Sequence, residues 1–284
     1  MTQQVDPQAV KQEQREYWNQ AAGGWRKHDE MFRQSTASVT RRLLELAAIA
    51  PGCRVLDIAS GTGEPALPAA EIVGPPGYVL LTDQSQEMLA VAREKAERQG
   101  LRNVDFRVVD GEALEVGEES FDAALCRWGL MFMPDPVSCL RQAYRALKPG
   151  GRIAVATWGP PQLNPFVTVP MGILMKYTDV PRPEPGAPGI FAFAERDRLA
   201  AALSLAGFRE IIAEDLELTV YQFDSGRDFW EYLQEMGPIA RQVADLAPEV
   251  REQVGREIVA AATAGDRAGR VSLTGCTLLA CGTR

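Results

Sequence analysis

Residues 53–73 read CRVLDIASGTGEPALPAAEIV, and the reading of this stretch decides the fold. Residues 53–59 form a short apolar run between Pro51-Gly52 and a cluster of glycines, which predicts a buried strand rather than a helix. Gly61-Thr62-Gly63-Glu64-Pro65-Ala66 follows at once and matches the pattern G-x-G-x-x-G/A. Residues 63–73 then carry a helical pattern. A strand, a tight glycine turn and a helix in that order predict the first unit of a parallel sheet.

The alternation continues outward. GYVLLTD (77–83) is the next strand, followed by a helix over 85–99 with Ser85 as N-cap and Gly100 as stop. NVDFRVVD (103–110), FDAALCRW (121–128) and RIAVATW (152–158) are strands three to five. A helix over 135–147 stands before the last of these and is stopped by Lys148-Pro149-Gly150-Gly151. Upstream, 38–49 is an amphipathic helix, and 7–34, polar with Tyr17, Trp18, Trp25 and Phe32, predicts a helix followed by a partly ordered segment. After 158 the texture changes: positions 160–188 hold eight of the 19 prolines together with Phe166, Met171, Met175 and Tyr177. A helix (195–206), a strand (209–223), further helices (226–263) and a last strand, RVSLTGCTLLACG (270–282), complete the chain. The expected layout is α/β, a doubly wound, mostly parallel sheet with right-handed crossovers. A helical cover spans 1–36, the ligand-binding core 37–160, a Pro-rich substrate lid 161–193, and the completion of the sheet 194–284.

Composition excludes whole classes of function. The 284 residues carry 30 Lys plus Arg against 38 Asp plus Glu, a net charge of −8. An acidic whole argues against nucleic-acid and anionic-membrane partners, whose phosphates need clustered cations. No apolar run approaches the ~20 residues of a membrane span, and the N-terminus is too polar for a signal peptide. The expectation is a soluble, cytoplasmic protein. The five cysteines (53, 126, 139, 276 and 281) are scattered, which suits reduced thiols. With one histidine, His28, no multi-histidine metal site can form, and a hydrolase triad would have to use that residue. No metal is expected.

Asp83 lies 20 residues past Gly63 at the end of the second strand, where an acid can hold a ribose diol. Taken alone, this fits a dinucleotide site as well as any other adenosine site. Charge separates the two. Asp57, Asp83 and Asp110, the last followed by Gly111-Glu112, fall at or near the carboxyl ends of three strands, which converge on one crevice in a parallel sheet. Acids there repel a pyrophosphate and suit a ligand with an adenosine, an ammonium and a sulfonium. S-adenosyl-L-methionine has all three and no phosphate.

These residues resemble class I, Rossmann-like S-adenosylmethionine-dependent methyltransferases, in the group that includes the ubiquinone/menaquinone C-methyltransferases. The resemblance rests on Val55-Leu56-Asp57-Ile58-Ala59-Ser60-Gly61-Thr62-Gly63, on Asp83, on Asp110-Gly111-Glu112-Ala113, on Cys126-Arg127-Trp128 and on Leu147-Lys148-Pro149-Gly150-Gly151. It implies a seven-stranded sheet with an antiparallel last strand. It also implies that Ser60, Gly61 and Gly63 meet the methionine part of the cofactor, and that Asp83 meets the ribose. Gln84, Met88, Asp110, Gly111 and Glu112 would then surround the adenine, and Arg127 would pass the methionine end. Trp18, Ala22 and Trp25 resemble a Tyr-x-x-x-Ala-x-x-Tyr cover, with Trp replacing Tyr twice, and an indole face suits a sulfonium.

Methyl transfer is an in-line displacement that depends on positioning and the exclusion of water. A base is needed only if the acceptor arrives protonated. Imidazole is the side chain that titrates near neutrality, so His28 is the catalytic candidate, with a solvated surface histidine as the other reading. Trp128, Met131, Phe132, Met133, Trp158 and Phe166 suit a small, largely apolar acceptor. The expected protein is a monomer or homodimer; the alternatives are a non-catalytic cofactor-binding protein and an NAD(P)-dependent oxidoreductase.

Overall fold

A computed structural model describes residues 6–178, 187–236 and 239–284. Prolines 181, 183 and 185 of the expected lid lie outside the described residues. Seven strands of the described residues form one sheet: β1 (Arg54–Ile58), β2 (Tyr78–Asp83), β3 (Val104–Val108), β4 (Phe121–Arg127), β5 (Leu147–Trp158), β6 (Arg209–Phe223) and β7 (Val271–Thr283). Their order is β3-β2-β1-β4-β5-β7-β6. β1 pairs in parallel with β2 on one side and β4 on the other. Such a strand is covered on both faces, which is why Val55, Leu56 and Ile58 read as a near-continuous apolar run. β7 lies antiparallel between β5 and β6, as expected of the last strand.

Among the described residues, ten α-helices pack around the sheet: α1 (Pro7–Ser35), α2 (Ala37–Leu46), α3 (Ala66–Val73), α4 (Gln86–Arg98), α5 (Pro136–Ala146), α6 (Pro165–Leu174), α7 (Arg196–Leu205), α8 (Gly226–Glu235), α9 (Ala240–Ala244) and α10 (Pro248–Thr263). Among the described residues, no helix is long and apolar enough to cross a membrane.

Two elements depart from the sequence reading. The N-terminal segment is one helix of 29 residues with no partly ordered tail, started by Asp6 accepting from the Gln8 N–H and by Pro7. Gly23-Gly24 does not break it, because Gly24 sits against the end of α8. A Cβ there would stand 2.3 Å from the Glu235 carbonyl oxygen. The second departure is in the region read as a lid. Residues 165–174 form α6, whose Phe166, Val167 and Leu174 are buried, so the proline-rich stretch begins as a core helix.

The strand order reverses between β1 and β4, which opens a crevice beyond their carboxyl ends. The residues just past those two ends, Ala59 and Trp128, have φ of 55° and 57°. Left-handed backbone at two non-glycine residues costs of order 1 kcal/mol each and marks the places where the chain turns sharply away from the sheet.

Candidate functional site

The crevice is a cavity of about 450 Å³. Its floor is the glycine loop and the ends of β2 and β4, and side chains of α1, α8 and α9 complete its wall. In the loop, Gly61 and Gly63 have φ of 52° and 100°. A Cβ on Gly63 would also meet Leu67 Cδ1 at 2.8 Å, so this glycine lets α3 close onto the loop. Gly63 therefore shapes the floor from beneath and is not on the cavity wall, whereas Ser60 and Gly61 are.

Asp83 is clamped by backbone. The Gly61 N–H donates to one carboxylate oxygen at 2.9 Å and the Ser85 N–H to the other at 2.8 Å. Burial pushes its pKa up, and N–H groups from Ser85, Gly61 and Gln84 pull it back. Ser85 caps α4 by accepting from the Met88 N–H at 3.1 Å, as its N-cap reading predicts. Gln84 and Met88 lie beside it on the cavity wall.

The two other strand-end acids do not present the open negative charge expected of them. Asp57 lies inside β1, in register with Leu81 and Leu125, one residue short of the strand end. It is fully buried and absent from the cavity wall. Burial drives its pKa well above the ordinary carboxylate value, against the charge of Arg127. The Ala66 N–H helps lower it but falls short of ordinary hydrogen-bond geometry. Asp110 does reach the wall, where Lys11 of α1 holds it at 2.7 Å and holds Glu112 at 2.5 Å. Burial lowers the Lys11 pKa, and the two carboxylates more than restore it. Lys11 was not anticipated, because it belongs to no motif and lies 99 residues from Asp110 in the chain.

The expectation that His28 is a catalytic base is not supported by its position. Its Nε2 lies 2.8 Å from the Glu235 carboxylate, its ring packs edge-on against Tyr232, and it is not on the cavity wall. With Lys27, which donates to the same carboxylate at 2.6 Å, it ties α1 to α8.

Arg127 reaches the wall from the end of β4. It donates to the hydroxyls of Thr36 and Thr40 at 3.1 Å each, and Thr40 donates onward to Glu64 at 2.9 Å. Its guanidinium lies 4.8 Å from the Trp128 ring centre. Trp128 stacks on Trp158, with centroids 4.5 Å apart and planes 9° apart, and Trp158 packs on Phe166 at 4.5 Å. The Trp128 indole is fixed by its N–H to Thr277 Oγ1 at 2.9 Å, and Thr277 donates to the Thr157 carbonyl at 2.7 Å. Trp18 and Trp25 line the cavity from α1, edge-on to Phe132 (5.4 Å) and Phe32 (5.0 Å) respectively. Glu64, Phe32, Tyr221 and Tyr232 also line the wall, although none of them has a site role in the sequence reading. Their only signal is residue type, which core packing explains equally well.

Comparison with known proteins bears on this site. Residues 49–166 match the family model of a methyltransferase domain. The chain is 35% identical over 191 residues to the arsenite methyltransferase of Halobacterium salinarum, covering 66% of this chain and 46% of that protein. It is 36% identical over 127 residues to the ubiquinone/menaquinone biosynthesis C-methyltransferase UbiE of Pasteurella multocida, covering 44% of this chain and 47% of that one. The chain thus spans about half the length of the curated relatives it matches. Among solved structures it resembles the YcgJ protein of Bacillus subtilis, with a TM-score of 0.56 and 20% identity over 87% of this chain and 98% of the other. At that identity the likeness concerns the fold alone.

Proposed function

We propose that this chain, which carries a methyltransferase domain at residues 49–166, binds S-adenosyl-L-methionine and transfers its methyl group to a small, largely apolar acceptor. The observation that carries the reading is the continuity of one cavity. The Asp83 carboxylate, preset by two backbone N–H groups, opens onto the same space as the aromatic wall from Trp128 to Phe166.

The residues fit the cofactor. Asp83 has lone pairs left after accepting from Gly61 and Ser85, and a charged acceptor aimed at a diol gives strong bonds. Ser60 Oγ is enclosed beside the glycine loop with no partner, which is what a polar ligand at the methionine end would satisfy. Gln84, Met88, Gly111 and Glu112 would flank the adenine, with Asp110 held in place by Lys11. Arg127, fixed by two threonines, would meet the carboxylate of the methionine part.

When bound, the cofactor supplies an electrophilic methyl group carried on a sulfonium. The chain positions the partners and keeps water out, with Trp18 and Trp25 of α1 closing the cavity. We place the protein in the cytoplasm as a monomer or homodimer that acts on a free small molecule, with no nucleic-acid or membrane partner.

Calorimetry separates this reading from an oxidoreductase. The expected result is micromolar or tighter binding of S-adenosylhomocysteine and none of NADH. Binding of NADH alone would overturn it. Methyl transfer from labelled S-adenosylmethionine into a panel of small aromatic acceptors separates it from a non-catalytic binding protein.

A further inference from the structure

Three polar side chains of the cavity wall, Thr62, Glu64 and Arg127, find hydrogen-bond partners on one corner of the fold, the end of α1 and the start of α2. In the glycine loop, Gly61 and Gly63 are tied by backbone: the Gly61 N–H donates to Asp83, and the Gly63 N–H to the Ser60 carbonyl at 2.9 Å. Thr62 between them is tied by its side chain, which donates to Asp29 Oδ1 of α1 at 3.4 Å. Lys95 of α4, only 4% exposed, donates to the same oxygen at 2.7 Å and so fixes Asp29. On the α2 side, Thr40 Oγ1 accepts from Arg127 and donates to Glu64. Thr36, fully buried where α1 gives way to α2, accepts from Arg127 and donates to the Phe32 carbonyl at 2.7 Å.

The chemistry of these ties gives the corner a definite task. A guanidinium on a long stem has many rotamers, and a hydroxyl has one proton to give, so each threonine bond selects one arrangement. Thr40, accepting from Arg127 and donating to Glu64, brings a cation and a carboxylate of the wall to one hydroxyl. The Asp83 end is built otherwise, since its two N–H donors belong to Gly61 and Ser85 and neither lies in α1 or α2. We infer that Asp29, Thr36 and Thr40 are positioning residues that set the methionine end of the cofactor site through Thr62, Arg127 and Glu64, while the adenosine end is preset without them. The inference rests on the cofactor reading above and adds which residues of the cover shape one part of that site. A seated corner is therefore felt by a ligand with an amino-acid part and hardly at all by one that lacks it.

The test compares two probes by calorimetry: S-adenosylhomocysteine, which has the amino-acid part, and adenosine, which lacks it and is measured by competition with the first. Thr40→Val keeps the side-chain shape and removes both bonds. It should weaken S-adenosylhomocysteine about ten-fold and leave adenosine within about two-fold of wild type. Thr40→Ser restores the hydroxyl and should recover most of the loss. Asp29→Ala combined with Lys95→Met removes both charges of that pair, and serves if Thr40→Val folds poorly. It should weaken S-adenosylhomocysteine about three-fold and again spare adenosine. Equal weakening of the two probes would overturn the inference, because the corner would then only hold the fold together. Unchanged S-adenosylhomocysteine affinity in both variants would also overturn it. So would adenosine that fails to compete in wild type, since the adenosine end would then hold nothing by itself. Failure of the wild type to bind S-adenosylhomocysteine would instead count against the cofactor reading beneath it.

Discussion

The floor of the cavity and the helix that covers it are held by different forces. On the floor, Asp83 is fixed by two backbone N–H groups inside the protein, and the glycine loop packs directly on α3. The cover, α1, is held largely by polar side chains. Lys11 pairs with Asp110 and Glu112, Asp29 with Lys95, Arg26 with Glu94, and Lys27 and His28 with Glu235. Its apolar attachment is in two patches: Ala22, Trp18 and Trp25 meet Met88 and Val91, and Phe32, with Met31 beside it, joins the main core. Backbone bonds in the interior are little affected by salt, whereas the exposed pairs, such as Arg26 with Glu94, contribute ~0–1 kcal/mol each and are screened; Lys11–Glu112 and Lys95–Asp29 are largely enclosed and are screened less. Asp83 is therefore preset for its ligand, and the cover can loosen without disturbing it.

Substitutions can break or sharpen this contrast. The largest effect is expected on the floor. Asp83→Ala leaves two backbone donors unpaired and removes the acceptor for the diol, so S-adenosylhomocysteine affinity should fall by about 2–3 kcal/mol in calorimetry. A fall of less than ten-fold would show that the carboxylate is not the anchor. Gly24→Ala attacks the cover where it touches α8. Alanine favours a helix by about 1 kcal/mol, but its Cβ would meet the Glu235 carbonyl oxygen at 2.3 Å. The clash should prevail, with a net destabilisation of about 1–2 kcal/mol and faster hydrogen exchange confined to α1. A rise in thermal midpoint would mean that the contact with α8 yields easily.

A smaller effect, of opposite sign, is expected at Asp57. Its pKa is raised in the folded chain, so the native state keeps a proton that the unfolded state releases. Stability from this group thus declines as pH rises from the ordinary carboxylate range toward the raised value. Asp57→Asn should therefore raise the thermal midpoint by a few degrees at pH 8, with the advantage shrinking toward pH 4. A variant less stable than wild type at pH 8 would assign the carboxylate a structural bond that the present geometry lacks. The smallest effect belongs to Lys11→Met. It should weaken S-adenosylhomocysteine binding by under ~1 kcal/mol at 0.1 M salt, with the difference narrowing near 1 M as screening shortens to ~3 Å, though not to zero because the Lys11–Glu112 pair is partly enclosed. A loss well above ~1 kcal/mol would place Lys11 in direct contact with the ligand.

Much of the core was legible because its signals are local. The helix over 85–99 is announced by Ser85, which caps it through a bond three residues away. Asp83 is legible because the loop that donates to it follows the neighbouring strand at a fixed distance. The strand-end acids were harder to read. Asp57 and Asp83 look alike in sequence, yet Asp57 stands level with Leu81, two residues short of Asp83, which leaves the first inside the sheet and the second on the cavity wall. His28 and Trp25 are neighbours on α1, and only the direction each faces on the helix separates a tether to Glu235 from a cavity wall.

The amino-acid sequence by itself determined the alternation of strands and helices, the glycine loop and the place of Asp83, because each depends on hydrogen bonds and backbone freedom within a few tens of residues. Tertiary structure alone decided which acids are open, which are paired and which polar groups wait for a partner. Lys11 meets Asp110 across 99 residues and His28 meets Glu235 across 207, and no local pattern specifies encounters at that range. They follow from the packing of α1 and α8 against the carboxyl edge of the sheet, where burial and charge are set by whatever the fold brings together.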